Sequence, residues 1–390
     1  MKRKGHTQFV VLVACSGPKG ISGLADRFFG EFLPRRGEFS QNISFPNSER
    51  NNVCFRGFWP SILVLALVGI AASQYPDKLH LVGVGTTSPL PVYSVWFQAF
   101  EKTRSDIRFS YIPSGSGTGI DMVTSGAADF GATDAPLTGK QLANAKVVQF
   151  ATVLVAIVPI YNIEGARRPL KFSPQALAGI YLGTITKWND PAISGLNPEV
   201  ELPARNIAVI HSAGGRGSTY IWSDYLSKVS EAWRTRVGRG IEVEWPVGKE
   251  ADGNGNLAKM VKSTPDSIGY VELVHALQNR LPYGQVQNAA GNFVSASAAT
   301  ITAAAATARS RPGDFRASIT NAPGERSYPI SSFTWILVSE KMESTAKHEA
   351  VKDFLRWALG EGQTFAESPG FARLPGSIVE QELTAIENLP

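Results

Sequence analysis

Only two cysteines occur in the 390-residue chain, Cys15 and Cys54, and both lie near its beginning. Beyond them there is no thiol, which excludes a disulfide, a cysteine nucleophile or a thiolate metal site from the bulk of the chain. The five histidines (His6, His80, His211, His275, His348) form no H-x-x-x-H or similar pair, so no metal centre and no metal-dependent catalysis is expected. Charge is also scarce where a nucleic acid would need it. The net charge of +5 sits in residues 1–56, which hold nine Lys/Arg against Asp26, Glu31, Glu38 and Glu49. Residues 57–74 carry no charge, and acidic and basic residues balance in the remainder. A formally neutral body lacks the basic stripe that backbone phosphates require.

The uncharged stretch GFWPSILVLALVGIAASQ (57–74) follows Arg56 and ends in Ala71, Ala72 and Ser73. A positive flank, an apolar core and small residues are the layout of a secretory signal cut after Ser73. The rival reading is a single membrane anchor, for which the run lies at the short end of roughly 17–25 residues. Residues 1–56 then read as a disordered extension or as lying upstream of the true start. A weaker lipoprotein-like box, Leu12-Val13-Ala14-Cys15, follows an apolar stretch that is short for that purpose. Either leader places the body outside the cytoplasmic membrane, periplasmic or extracellular.

From Lys78 on, short apolar strands alternate with amphipathic helices. Strands are predicted at 79–83, 107–112, 129–132, 148–162, 207–211, 268–271 and 331–339, and helices at 93–103, from 119, at 218–228 and at 347–359. Alternation of this kind predicts an α/β fold with mainly parallel sheets. Ligands of such sheets collect at the carboxyl ends of strands. The Ala-rich stretch 296–308 reads as a surface helix.

Three small-residue loops share one design, each between a strand and a helix: Gly83-Val-Gly85-Thr86-Thr87-Ser88-Pro89, Ser114-Gly115-Ser116-Gly117-Thr118-Gly119, and His211-Ser212-Ala213-Gly214-Gly215-Arg216-Gly217-Ser218-Thr219. Helix N-termini leave N–H groups unpaired and carry partial positive charge, so they attract anions. Glycine lets the backbone approach, and Ser/Thr hydroxyls add rotatable donors. Taken singly, each loop is also an ordinary capped turn. None has the Gly-Lys-Ser/Thr of a nucleotide loop, and Ser116 lacks the first glycine of a nucleophile elbow. No catalytic residue, cofactor site or metal site emerges.

In order along residues 79–390, GVGTTSPLPVY (83–93), SGSGTGI (114–120), DFGATDAPL (129–137), IYLGTITKWNDPAISGLNP (180–198) and GYVE (269–272) resemble the substrate-binding protein of ABC-type phosphate transporters. The resemblance implies a two-lobe periplasmic-binding-protein fold with the ligand cleft between lobes. Lobe one would be 75–153 plus 326–390, and lobe two 154–325. It implies a non-enzymatic, monomeric protein that captures inorganic phosphate and delivers it to the membrane permease subunits of an importer. Carried over by position, Thr87, Ser88 and Ser116 are donors to phosphate and Asp134 accepts its proton, with Gly217, Ser218 and Thr219 donating from the other lobe. The third loop departs from the family's Arg-x-Asp-Gly-Ser-Gly-Thr: the arginine position is Ser212, its aspartate partner is Gly214, and Arg216 stands at the serine position. Arg216 is expected to take over as the charged phosphate ligand; the alternative is a residue that faces solvent.

A carboxylate beside an anion is tolerable if the ligand keeps a proton to give, as phosphate does near neutral pH and sulfate does not. Such a required hydrogen bond can discriminate by roughly 10⁴–10⁵-fold. Taken alone, Asp134 reads more readily as a turn cap before Pro136; the surrounding resemblance reverses that. Two other functions stay open: a binder of a different oxyanion in the same fold, and a phosphate sensor without transport.

Overall fold

A computed structural model describes residues 78–166, 168–308, 316–367 and 370–389. The expected extension, the leader segment 57–74 and both cysteines lie outside the described residues. The chain begins with β1 (Leu79–Gly85), α1 (Leu90–Thr103), β2 (Ile107–Pro113), α2 (Ser116–Thr124), β3 (Phe130–Thr133) and α3 (Gly139–Ala145), then enters the long β4 (Val147–Asn162). There follow β5 (Lys171–Phe172), α4 (Pro174–Leu182), α5 (Pro191–Ser194), β6 (Ala208–Ser212), α6 (Gly217–Val229), α7 (Glu231–Arg236), β7 (Lys249–Ala251), α8 (Gly253–Ser263), β8 (Ser267–Glu272) and α9 (Leu273–Asn279). The chain closes with β9 (Gln285–Gln287), β10 (Phe293–Val294), α10 (Ala298–Ala305), β11 (Ser331–Ser339), α11 (Thr345–Leu359), β12 (Phe371–Ala372) and α12 (Gly376–Glu387). No helix among the described residues is long and apolar enough to cross a membrane.

The main sheet runs β2-β1-β3-β11-β4-β8-β6-β7, with β12 beside β4. It is mixed rather than mainly parallel, which corrects the expectation from alternation. β1 pairs in parallel with β2 and β3, and β6 with β7 and β8, but β11 runs antiparallel to β3 and β4, as β4 does to β8. The cause is β4 itself. Its 16 residues are apolar and buried almost throughout, so both faces are covered, as in a central strand. Val147–Ala156 pairs with β11, and Ile157–Asn162 pairs with β8. One strand therefore joins two βα sections, and β11 returns alongside it.

On α1, Tyr93, Trp96, Phe97 and Phe100 follow helical spacing and are all buried; Phe97 stacks on Phe109 with ring centres 4.6 Å apart. Burial of side chains this size stabilises by about 1.5–3 kcal/mol each. Helix α10 departs from the surface helix expected of its alanines. Ile301, Ala304 and Ala305 are buried, because small side chains let it pack closely on β4, β11 and β12.

β4 runs in the direction of β1, β2 and β3 but opposite to β8, β6 and β7, so the carboxyl ends of the two sets point toward each other along β4, and the three small-residue loops meet there. Helix α2 lies so close to β1 and β3 that a Cβ on Gly119 would stand 2.6 Å from the Ala132 carbonyl oxygen and 2.7 Å from the Gly85 Cα. Gly119→Ala is expected to push α2 off the sheet and cost about 1–3 kcal/mol, typical of overpacking. Urea unfolding measures it; an unchanged midpoint would contradict the close approach.

Candidate anion-binding site

Asp134 follows β3 directly and is completely buried. Both its carboxylate oxygens accept from hydroxyls. Thr86 Oγ1 donates to Oδ2, and Ser88 Oγ donates to both oxygens at 2.9 and 3.0 Å. Thr334 Oγ1 donates to Oδ1 at 2.5 Å. Burial raises the Asp134 pKa above its ordinary value, and the three hydroxyls oppose that rise. Its own amide donates to Ser116 Oγ at 3.1 Å, which leaves the Ser116 proton free to point elsewhere. The turn-cap reading is not what the carboxylate does: its partners come from the first loop and from β11.

Thr334 comes level with Asp134 one residue beyond the Trp335–Thr133 pair of the antiparallel β3–β11 register. The β4–β11 register shifts between Thr334 and Trp335. Thr152, opposite the shift, donates to the Thr334 carbonyl at 2.9 Å and bonds Tyr93 Oη at 2.9 Å.

The third loop comes against the second. Gly117 N donates to the Gly215 carbonyl at 3.2 Å. A Cβ on Gly217 would lie 2.5 Å from Ser116 Oγ and 2.7 Å from Asp134 Oδ2, so only glycine fits at the first residue of α6. The structure thus brings together Thr87, Ser88, Ser116, Asp134, Gly217 and Ser218. Arg216 is the N-cap of α6. Its Nη2 donates to Asp252 Oδ1 at 2.5 Å, its Nη1 to the Ser114 carbonyl at 3.1 Å and its Nε to the Ala213 carbonyl at 3.2 Å. The side chain is therefore partnered rather than solvent-facing, and it ties the third loop to the second. Ser212 ends β6, where its amide donates to Tyr270 Oη at 3.3 Å and its hydroxyl is buried. Thr219 Oγ1 bonds the same tyrosine oxygen at 2.8 Å.

Asn254, at the start of α8, connects these loops. Its Nδ2 donates to Glu272 Oε1 at 2.8 Å and to Thr87 Oγ1 at 3.4 Å, while its Oδ1 accepts from Ser218 Oγ at 2.8 Å. Glu272 is buried at the end of β8, and its pKa is pushed up to about 8, first by burial and then by the Asp134 charge. Its Oε2 has no hydrogen-bond partner among the described residues and lies 3.7 Å from His275 Nε2, whose pKa burial lowers to about 4. Sequence reasoning gave no role to Asp252, Asn254, Glu272 or Thr334. The run Asp252-Gly253-Asn254-Gly255-Asn256 before an amphipathic helix has the small-residue design of the other loops, and it could have been counted as a fourth. Two surface clefts, of about 460 Å³ around Lys228 and Thr320 and about 710 Å³ beside Ile180 and Val247, are lined by none of the site residues.

Residues 71–361 match the family described as the PBP superfamily domain. The chain is 36% identical over 312 residues to the phosphate-binding protein PstS of Xylella fastidiosa (strain 9a5c), covering 80% of this chain and 85% of that one. It is 37% identical over 321 residues to the phosphate-binding protein PstS of Pasteurella multocida (strain Pm70), covering 82% and 93%. In fold it is similar to a phosphate-binding protein from Stenotrophomonas maltophilia, with TM-score 0.61 and 17% identity over 79% of this chain and 94% of that one.

A raised carboxyl pKa means that the folded state holds a proton the unfolded state has lost. Glu272 therefore contributes stability that is present below its ordinary value of 4.5 and is lost as pH rises through about 8. Glu272→Gln is expected to remove that loss, so its thermal midpoint should gain on the parent at alkaline pH by a few degrees. An identical pH dependence of the two midpoints would contradict a protonated, buried Glu272.

Proposed function

The chain belongs to the PstS family of phosphate-binding proteins within the PBP superfamily, and from that membership we propose that it captures inorganic phosphate and hands it to the permease subunits of an ABC-type importer. This is a binding function, not an enzymatic one. The observation that carries it is Asp134, a buried acceptor set among hydroxyl and amide donors from three helix starts.

Phosphate would take donors from Thr87 and the amide of Ser88 on the first loop, and from Ser116 on the second. Gly217, Ser218 and Thr219 would face it from the start of α6, while Asp134 accepts its proton. The Ser88 hydroxyl already serves Asp134, which favours its amide as the ligand group. Arg216 would add its charge from the third loop while holding that loop to Ser114, and Ser212 would stand behind it. Residues 75–153 with 326–390 would form one lobe and 154–325 the other, a division supported by the change of partner along β4 between Ala156 and Ile157. We place the monomeric body outside the cytoplasmic membrane, exported by the 57–74 segment.

Calorimetric titration of the full chain with phosphate and sulfate tests this. The parent is expected to bind phosphate and reject sulfate. Asp134→Asn can donate as well as accept, so phosphate should weaken by about 1–3 kcal/mol, the cost of an unmet buried hydrogen bond, while sulfate gains. An unmoved phosphate-to-sulfate ratio would sink the role given to Asp134, and a parent that ignores phosphate would sink the function.

A further inference from the structure

We propose that Arg216 and Asp252 form a latch across the cleft, and that this ion pair sets how slowly phosphate leaves. The proposal rests on the phosphate reading and the two lobes given above. It adds a pair of positioning residues whose target is the opposite lobe rather than the anion.

The seam between the lobes runs along backbone. On the first lobe stands the loop between β2 and α2, and on the second the loop between β6 and α6. Gly117 N donates to the Gly215 carbonyl at 3.2 Å. Ile241 lies against both residues, since a Cβ on Gly117 would stand 3.4 Å from its Cδ1 and one on Gly215 would stand 3.2 Å away. Beside this contact, Arg216 Nη1 donates to the Ser114 carbonyl at 3.1 Å. A Cβ on Gly115 would come within 3.1 Å of that same Nη1 and 3.2 Å of the Gly215 carbonyl oxygen, so a side chain there would wedge the seam apart. None of these contacts passes through a ligand. They exist only while the two loops are together, so they must break before the cleft opens.

Arg216 is aimed at Ser114 from its own lobe. Its Nε donates to the Ala213 carbonyl at 3.2 Å and its Nη2 to Asp252 Oδ1 at 2.5 Å. A guanidinium is a flat fork whose donors are fixed in direction. With one edge held by the third loop and another by the end of β7, the remaining edge points across the seam. Asp252 also answers the charge of Arg216, which as N-cap stands at the positive end of α6. Ser212, by contrast, is bound inside its own lobe, where its amide donates to Tyr270 Oη. The arginine side chain is 19% exposed and the aspartate 46%. The seam therefore encloses Arg216, while Asp252 can be changed at its surface without opening a cavity.

Two roles for Arg216 give Asp252 opposite signs. If the arginine served phosphate by its charge, Asp252 would compete for that charge, and neutralising it would tighten binding. If the arginine is a latch, neutralising Asp252 frees the fork and speeds release, even though a negative charge has been taken away from an anion site.

The test is the rate at which the full chain loses radiolabelled phosphate when chased with unlabelled phosphate, with the association rate measured alongside. Asp252→Asn is expected to release phosphate about fivefold faster, the upper range for a partly exposed ion pair, with association changed less than about twofold. Asp252→Glu, which keeps the charge, should stay within about twofold of the parent. An Asp252→Asn protein that holds phosphate as long as the parent, or longer, overturns the latch. Faster release that Asp252→Glu shares in full overturns it as well, because shape and not the ion pair would then be what holds the loops. Small-angle scattering without added phosphate reads the latch apart from the ligand: Asp252→Asn should have the larger radius of gyration, and identical profiles would overturn it. A parent that takes up no phosphate defeats the function instead, and scattering then decides the latch alone.

Discussion

Burying a carboxylate without a cation is costly unless its lone pairs are met, and Asp134 is met entirely by hydroxyls. Those hydroxyls come from Thr86 and Ser88 after β1 and from Thr334 in β11. The requirement reaches back into the fold. Thr334 is placed opposite Asp134 by the β3–β11 register, Ser116 must stand where the Asp134 amide can reach it, and Gly119 must let α2 lie on the strands. What results is an acceptor that cannot be neutralised by a neighbouring positive charge. Such a group welcomes an anion that brings its own proton and disfavours one that does not.

The opposite side of the site obeys a steric constraint. Gly217 stands so near Ser116 and Asp134 that any side chain there would collide with both. That proximity lets the start of α6 present its amides directly above the carboxylate. Arg216 holds the arrangement from one residue away, donating across to the Ser114 carbonyl while Asp252 balances its charge. The Arg–Asp pair absent from Ser212 and Gly214 thus has a counterpart whose members come from the third loop and from the end of β7. Asn254 does the finer work, since one amide orients hydroxyls on two different loops.

Much of this was legible in the sequence, for local reasons. Strand–loop–helix units with glycine and hydroxyl residues fold through short-range rules, and the three loops lie where alternation placed them. Asp134, by contrast, looked like a turn residue until the resemblance gave it a role. The mixed sheet was hidden because an apolar run such as Val147–Asn162 carries no mark of which strands will flank it. Thr334 and Glu272 were missed for a related reason: their partners lie far away in the chain, and nothing local distinguishes a threonine in a buried strand from one aimed at a carboxylate. The fate of Arg216 depended on Asp252, a residue with no local reason to be paired with it.

The central claim is that the buried Asp134 acceptor demands a ligand that arrives with a proton. The most direct measurement sets phosphate against an oxyanion that has none, by calorimetric titration of the full chain and of Asp134→Asn with phosphate and with sulfate near neutral pH. The account predicts that the parent takes phosphate and rejects sulfate and that the variant narrows the gap between them. A parent that binds both alike, or a variant with the same ratio as the parent, would contradict it.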